Sequence, residues 1–159
     1  MRQLFLAVLL AGLCLADHLP DNLVQRGKAD VLLCGIDVYH TTLADLKKRF
    51  GTPLTEKPYP DASAEVEAVW EQDGSRIHVV IDAGHVAEGL DVSGKPSPVA
   101  KTGRGLALGQ SLADIKRIYG SRYFRQGDEI RIEWEDGTHL TVTLSSGRIS
   151  RLQLGAGLE

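Results

Sequence analysis

The chain has 159 residues, with 18 Lys and Arg against 21 Asp and Glu and a formal net charge of −3. That length suits one domain or two small fused units. The mild acidity argues against nucleic acid as a partner, since phosphate contacts call for a basic surface.

The first segment, "MRQLFLAVLLAGLCLA", carries one early cation at Arg2, an apolar run from Leu4 to Leu15, and small residues at Cys14 and Ala16. The run is shorter than the roughly 20 residues a membrane-spanning helix needs. It has the layout of a cleavable secretory signal, so residues 1–16 are expected to be a signal peptide. A lipid-bearing cysteine calls for Leu three residues before it and a small residue immediately before. Ala11 and Leu13 stand there instead, so export to the periplasm or medium without a lipid is expected. No later segment is apolar enough to cross a membrane. Cys34 is then the remaining cysteine, which allows no intramolecular disulfide, and its apolar setting "VLLCGI" predicts burial.

Residues 17–28 are polar and expected to be loose. Residues 29–94 read as a first folding unit, opening with "ADVLLCGIDVY" as an extra strand or packed extended segment. The stretch "TLADLKKRFG", Thr42 to Gly51, follows with every part of a short helix. Thr42 is a hydroxyl N-cap, and Asp45 stands three residues on, where it complements orphan N–H groups. Leu43, Leu46 and Phe50 make one apolar stripe, and Gly51 ends the helix. Val66, Ala68 and Trp70 then alternate on a strand, and Asp73-Gly74 reads as a hairpin turn into Ile77, Val79 and Ile81. A third strand carries Val86, Leu90 and Val92, with one extra residue that suggests a bulge.

Residues 95–104 form a linker whose Pro96 and Pro98 forbid ladder bonds. Residues 105–159 then repeat the design. "SLADIKRIYG", Ser111 to Gly120, matches the first helix part for part, with Leu112, Ile115 and Tyr119 on its stripe. Ile130, Ile132 and Trp134 precede an Asp136-Gly137 turn, then come Leu140, Val142 and Leu144, and then Ile149, Leu152 and Leu154. The expected fold is α+β: two tandem helix-plus-three-strand repeats, with an antiparallel sheet and helices packed on one face. Whether the two sheets merge is left open by the sequence.

A capped short helix ending in Gly, then a Trp-bearing strand, a Gly turn and two further strands, resembles the SmpA/OmlA-like fold. The motifs "TLADLKKRFG", "SLADIKRIYG", "VWEQDG" and "EWEDG" carry the likeness over Gly35 to Leu154. Outer-membrane assembly lipoproteins have one such unit, and β-lactamase inhibitor protein-like members have two in tandem. The resemblance implies a sheet that bears helices on one side and offers the other side to a protein, without doing chemistry.

Trp70 and Trp134 could be recognition residues, but they share phase with the inward Val and Ile positions. Burying roughly 200 Å² of indole contributes about 5 kcal/mol gross, so core is the expected role. On the opposite face of the second unit, Arg131, Glu133 and Glu135 line one strand, and His139, Thr141 and Thr143 line the next. Arg131, Glu133, Glu135, His139 and Thr141 are the candidate partner-binding residues. The first unit offers Glu65, Glu67, Arg76, His78 and Asp82 in the corresponding phase.

A metal is not expected, because His78 and Asp82 on one extended strand would stand roughly 13 Å apart, and His85 and His139 do not complete a set. "TGRGLALGQS" lacks the spacing of a dinucleotide or phosphate loop. No cofactor is expected. Nor does any nucleophile stand beside a base, so an enzyme is not expected. The leading expectation is an exported, non-enzymatic protein-binding module of the bacterial cell envelope whose partner is another envelope or secreted protein. Two other readings stay open: a small-ligand carrier or enzyme with a site between the repeats near Cys34, Tyr39 and His40, and an envelope protein with no discrete site.

Overall fold

The computed structural model describes residues 19–59 and 62–157. The expected signal peptide, Cys14 included, lies outside the described residues. A small hairpin comes first, β1 (Leu32–Leu33) and β2 (Ile36–Asp37), in the segment expected to be extended. Its turn is Cys34-Gly35, with φ of 56° and 68°, the left-handed pair that a two-residue hairpin turn requires.

Next come helix α1 (Leu43–Phe50) and four strands: β3 (Thr55–Tyr59), β4 (Ala62–Gln72), β5 (Ser75–Ile81) and β6 (Ala87–Gly94). Helix α2 (Leu112–Tyr119) and four more strands follow: β7 (Phe124–Gln126), β8 (Glu129–Glu133), β9 (His139–Ser145) and β10 (Arg148–Gly155). Both helices form over the residues the caps mark out. Each half therefore has four strands where the sequence pattern predicts three. The additions, β3 and β7, are edge strands with little alternation: β3 contains Pro58, and β7 is three residues long. Such short, interrupted edges resist pairing with other chains and carry almost no periodic signal.

The two halves merge. Strands β6 and β10 pair antiparallel, with Leu152 opposite Val92 and Gly155 opposite Gly89. The result is one eight-stranded sheet in the order β3-β4-β5-β6-β10-β9-β8-β7. Following the register across it shows how the core is built. One row runs Trp70, Ile77, Val92, Leu152, Val142, Ile130, and the next runs Ala68, Val79, Leu90, Leu154, Leu140, Ile132. All twelve are buried. Residues directly opposite in a ladder share a face, so the whole apolar set lies on one side, with Leu46, Ile115 and Tyr119 of the helices in the same cluster.

Each tryptophan is covered by the last residue of its own half's helix. Phe50 and Trp70 have ring centroids 6.1 Å apart, and Tyr119 and Trp134 are 5.9 Å apart edge to face. The extra residue expected on the third strand is present: the β5–β6 ladder shifts register between Val80 and Ile81, which bulges Glu88 out of β6, and β10 shifts likewise between Ile149 and Arg151.

The segment expected to be loose is anchored. The Gln25 backbone N–H donates to the Glu133 carbonyl at 2.7 Å, beyond the point where β7 stops pairing with β8. Its side-chain amide donates to the carbonyls of Tyr119 and Arg122 at 2.8 and 2.6 Å, satisfying groups at the C-terminal end of α2. The linker is held as well. The Lys101 carbonyl accepts from Cys34 N–H, and Asp30 Oδ2 accepts from Arg104 N–H and the Tyr119 hydroxyl. Among the described residues, no helix is long and apolar enough to cross a membrane.

Candidate binding surface on the open sheet face

The sheet face away from the helices is polar, and the register sorts it into rows. Its central row runs Thr55, Val69, His78, Asp91, Gln153, Thr141, Arg131, Phe124. One row over lie Glu71, Arg76, Ser93, Arg151, Thr143 and Glu129, and on the other side Lys57, Glu67, Val80, Gly89, Gly155, His139 and Glu133. Both helices lie on the other side, and the N-terminal segment reaches these rows at Glu133, whose carbonyl accepts from Gln25 N–H.

Two clefts adjoin on this face. The larger, about 470 Å³, lies over the first half among Thr55, Lys57, Glu67, Arg76, Asp91 and Ser93. The second, about 310 Å³, lies over the β6–β10 seam among Val80, Gly89, His139, Gln153 and Gly155. They share His78, Asp91 and Arg151. The seam is floored by the facing pair Gly89 and Gly155, which puts backbone, not side chain, at the base of the cleft. At Gly89 an added Cβ would meet only Val80, at 3.8 Å, whereas at Gly155 it would collide with the His139 ring.

The charges are largely matched within the surface. Glu67 accepts from Lys57 at 2.7 Å and stands 3.1 Å from His78 Nε2. The Lys57 hydrogen bond holds its carboxyl below the usual range. Arg151 donates to Asp91 through Nε and Nη2, and that bond raises the guanidinium's pKa further. Gln153 Nε2 donates to the same carboxylate oxygen at 3.3 Å. Arg76 is exposed and, among the described residues, its side chain has no ion pair or hydrogen bond.

The candidate residues of the second half fall into different settings. Arg131 and Thr141 stand opposite each other on the open face, both half-buried. Glu133, expected to face a partner, is 2% exposed, with its carboxylate against Arg131 at 3.0 Å. It stands beside the docked 19–25 segment, which the sequence gives no reason to place there. Glu135 is exposed but belongs to the turn after β8, not to the strand face. His139 has its ring over Gly155, and burial pushes its pKa down. Sequence reasoning left out Asp91, Ser93, Arg151 and Gln153, whose contribution depends on the β6–β10 pairing.

Cys34, Tyr39 and His40, grouped in the alternative reading, stand in three different settings. Cys34 is 1% exposed, and burial pushes its thiol up to about 12, against a smaller opposing pull from Arg49. A thiol held protonated is a poor nucleophile. His40 lies out in solvent with Nδ1 3.1 Å from Asp37. Tyr39 instead ties the two halves together, its hydroxyl 2.7 Å from that of Thr138 and accepting from Gly157 N–H. Among the described residues, no group of three His, Cys, Asp or Glu is placed to hold a metal.

No family model matches the chain, and no curated protein matches it. Solved structures do share its fold. A cysteine-rich secretory protein from Staphylococcus aureus subsp. aureus Mu50 superposes with a TM-score of 0.57 at 16% identity, over 84% of this chain and 50% of that one. The chain thus spans half the length of the staphylococcal protein. YjgB, a DUF4309 family protein from Bacillus subtilis subsp. subtilis str. 168, gives 0.52 at 15% identity, over 77% of this chain and 82% of its own. The fold is thus shared with a staphylococcal protein described as secretory and with a DUF4309 family protein.

Proposed function

We propose that this is an exported, non-enzymatic binding module of the bacterial cell envelope that docks another protein on the open face of its sheet. The observation that carries this reading is the asymmetry of the sheet. One side is closed by helices over an unbroken apolar core, and the other presents clefts that both halves line. Interleaved Arg, Asp, Glu and His groups on a rigid sheet favour specificity and orientation over bulk affinity. The likeness to secretory folds supports export, as does the signal-peptide pattern of residues 1–16. The succession of helix and strands, used twice, resembles the tandem arrangement of β-lactamase inhibitor protein-like members of the SmpA/OmlA-like fold. That parallel supports a protein as the ligand. The protonated, buried thiol and the solvent-facing His40 support a role without chemistry.

The test uses Gly89, where a side chain can be added into the open cleft without meeting backbone. Immobilised wild type and Gly89→Trp protein are exposed to the same envelope extract, with near-ultraviolet circular dichroism used to confirm that both are folded. One protein retained by the wild type and lost by the variant is expected. Equal retention by both would remove the reading.

A further inference from the structure

We infer that the first-half cleft is a carboxylate-recognition site and that the segment docking there is an acidic stretch of a protein partner. This rests on the sheet-face reading above and names the partner's chemistry. Three cations line the cleft, Lys57, Arg76 and Arg151, against two acids, Glu67 and Asp91. Both acids are already engaged, Glu67 by Lys57 and His78, and Asp91 by Arg151 and Gln153. Arg76 is not. Glu71 faces it across the β4–β5 ladder, yet the two form no ion pair.

The surroundings of Arg76 are donor-rich. In its row, Ser93 stands next to it on β6 and Arg151 stands beyond on β10. Adjacent strands are about 4.8 Å apart, so the two arginines bracket the serine at roughly 10 Å. The Ser93 and Thr55 hydroxyls have no hydrogen-bond partner among the described residues, and each can donate to an oxygen anion. A guanidinium fork with hydroxyls beside it matches a planar carboxylate, which it can hold through two parallel bonds. A basic segment would instead confront Arg76 with like charge and find both acids occupied.

The measurement is fluorescence anisotropy of a labelled hexaglutamate peptide, with hexalysine as the opposite probe, titrated with the full-length secreted protein at low salt. Saturable hexaglutamate binding is expected, weakening steeply as salt is raised. Arg76→Gln should weaken it at least tenfold, and Arg76→Glu should abolish it. Lys48→Glu, an exposed position on the helix side, should leave it unchanged. Equal binding by Arg76→Glu, or equal binding of hexalysine, would overturn the inference. Partner capture from envelope extract separates this from the broader reading. Capture that Gly89→Trp blocks and Arg76→Glu leaves intact keeps the sheet-face docking and sinks the acidic partner.

Discussion

The two halves write nearly the same motif around their tryptophans, and the sheet uses it in two ways. Trp70 sits inside the β4–β5 ladder opposite Ile77, and its indole Nε1 donates to the Gly51 carbonyl at the end of α1, 2.9 Å away. Trp134 lies beyond the end of β8, where Ile132 takes the ladder place opposite Leu140. Its Nε1 is buried and, among the described residues, has no hydrogen-bond partner. The cause is the turn. Asp73-Gly74 closes a two-residue hairpin with φ of 52° and 81°, whereas the second connection runs from Trp134 to Thr138 before β9 begins. A wider loop moves the indole one strand period towards the turn. Gln25, arriving from the N-terminal segment, then supplies the hydrogen bonds at the end of α2 that Trp70 supplies at the end of α1. Similar local sequence thus gives a similar burial by a different route.

The comparison can be broken or sharpened by substitution, beginning with the largest effect. Trp70→Ala and Trp134→Ala should each cost about 3–5 kcal/mol, as large core truncations do, measured by urea unfolding. Because both indoles lie on one face of one sheet, each variant should still unfold in a single transition. Two separate transitions would mean that the halves fold independently. Trp70→Phe should cost about 1–2 kcal/mol more than Trp134→Phe, since only the former leaves a carbonyl without its donor.

The caps come next. Thr42 Oγ1 accepts from Asp45 N–H at 3.2 Å, and Asp45 accepts from Thr42 N–H in return. In α2 only the return arm is made, with Asp114 accepting from Ser111 N–H and hydroxyl. Thr42→Ala should therefore cost about 1 kcal/mol and Ser111→Ala about half that.

The smallest effects are those of pH. Backbone and side-chain bonds from Ser111, with Arg117, hold Asp114 down to about 2, and Thr42 holds Asp45 below its ordinary value. A depressed carboxyl contributes stability above its unfolded pKa near 4 and loses it as pH falls towards the folded value. Both helices should weaken below about pH 4, and Asp114→Asn should flatten that arm for α2. His139, pushed down by burial, works at higher pH. Its neutral form is favoured in the fold, so its contribution is present above about pH 6.5 and lost below it. Thermal melts at pH 7.5 and 5.5 should show a smaller difference for His139→Gln than for wild type.

The sequence made the helices legible because caps, stripe and stop signal all agree locally at Thr42–Gly51 and Ser111–Gly120. Alternation likewise placed Ala68, Ile77, Val79, Ile130, Val142 and Leu152 in the core, since one buried face forces period two. What escaped depends on contacts distant in the chain. β3 and β7 are strands only because an exposed edge of β4 or β8 receives them. Gln25 is fixed by Glu133 and Tyr119, about a hundred residues away. The candidate face was half legible: Arg131, His139 and Thr141 lie on it, but Asp91 and Arg151 meet only through the seam, and pairing between halves leaves no periodic trace. Glu133 shows the converse, a charged residue in outward phase that a docked segment buries.

The central claim is that partners meet the open sheet face and not the helix side. A photo-activatable benzoylphenylalanine in place of Gly89, compared with the same group in place of Lys48, tests it most directly in intact cells. A discrete adduct from position 89 and none from position 48 is the predicted result. Adducts of equal yield from both positions, or one from position 48 alone, would contradict it.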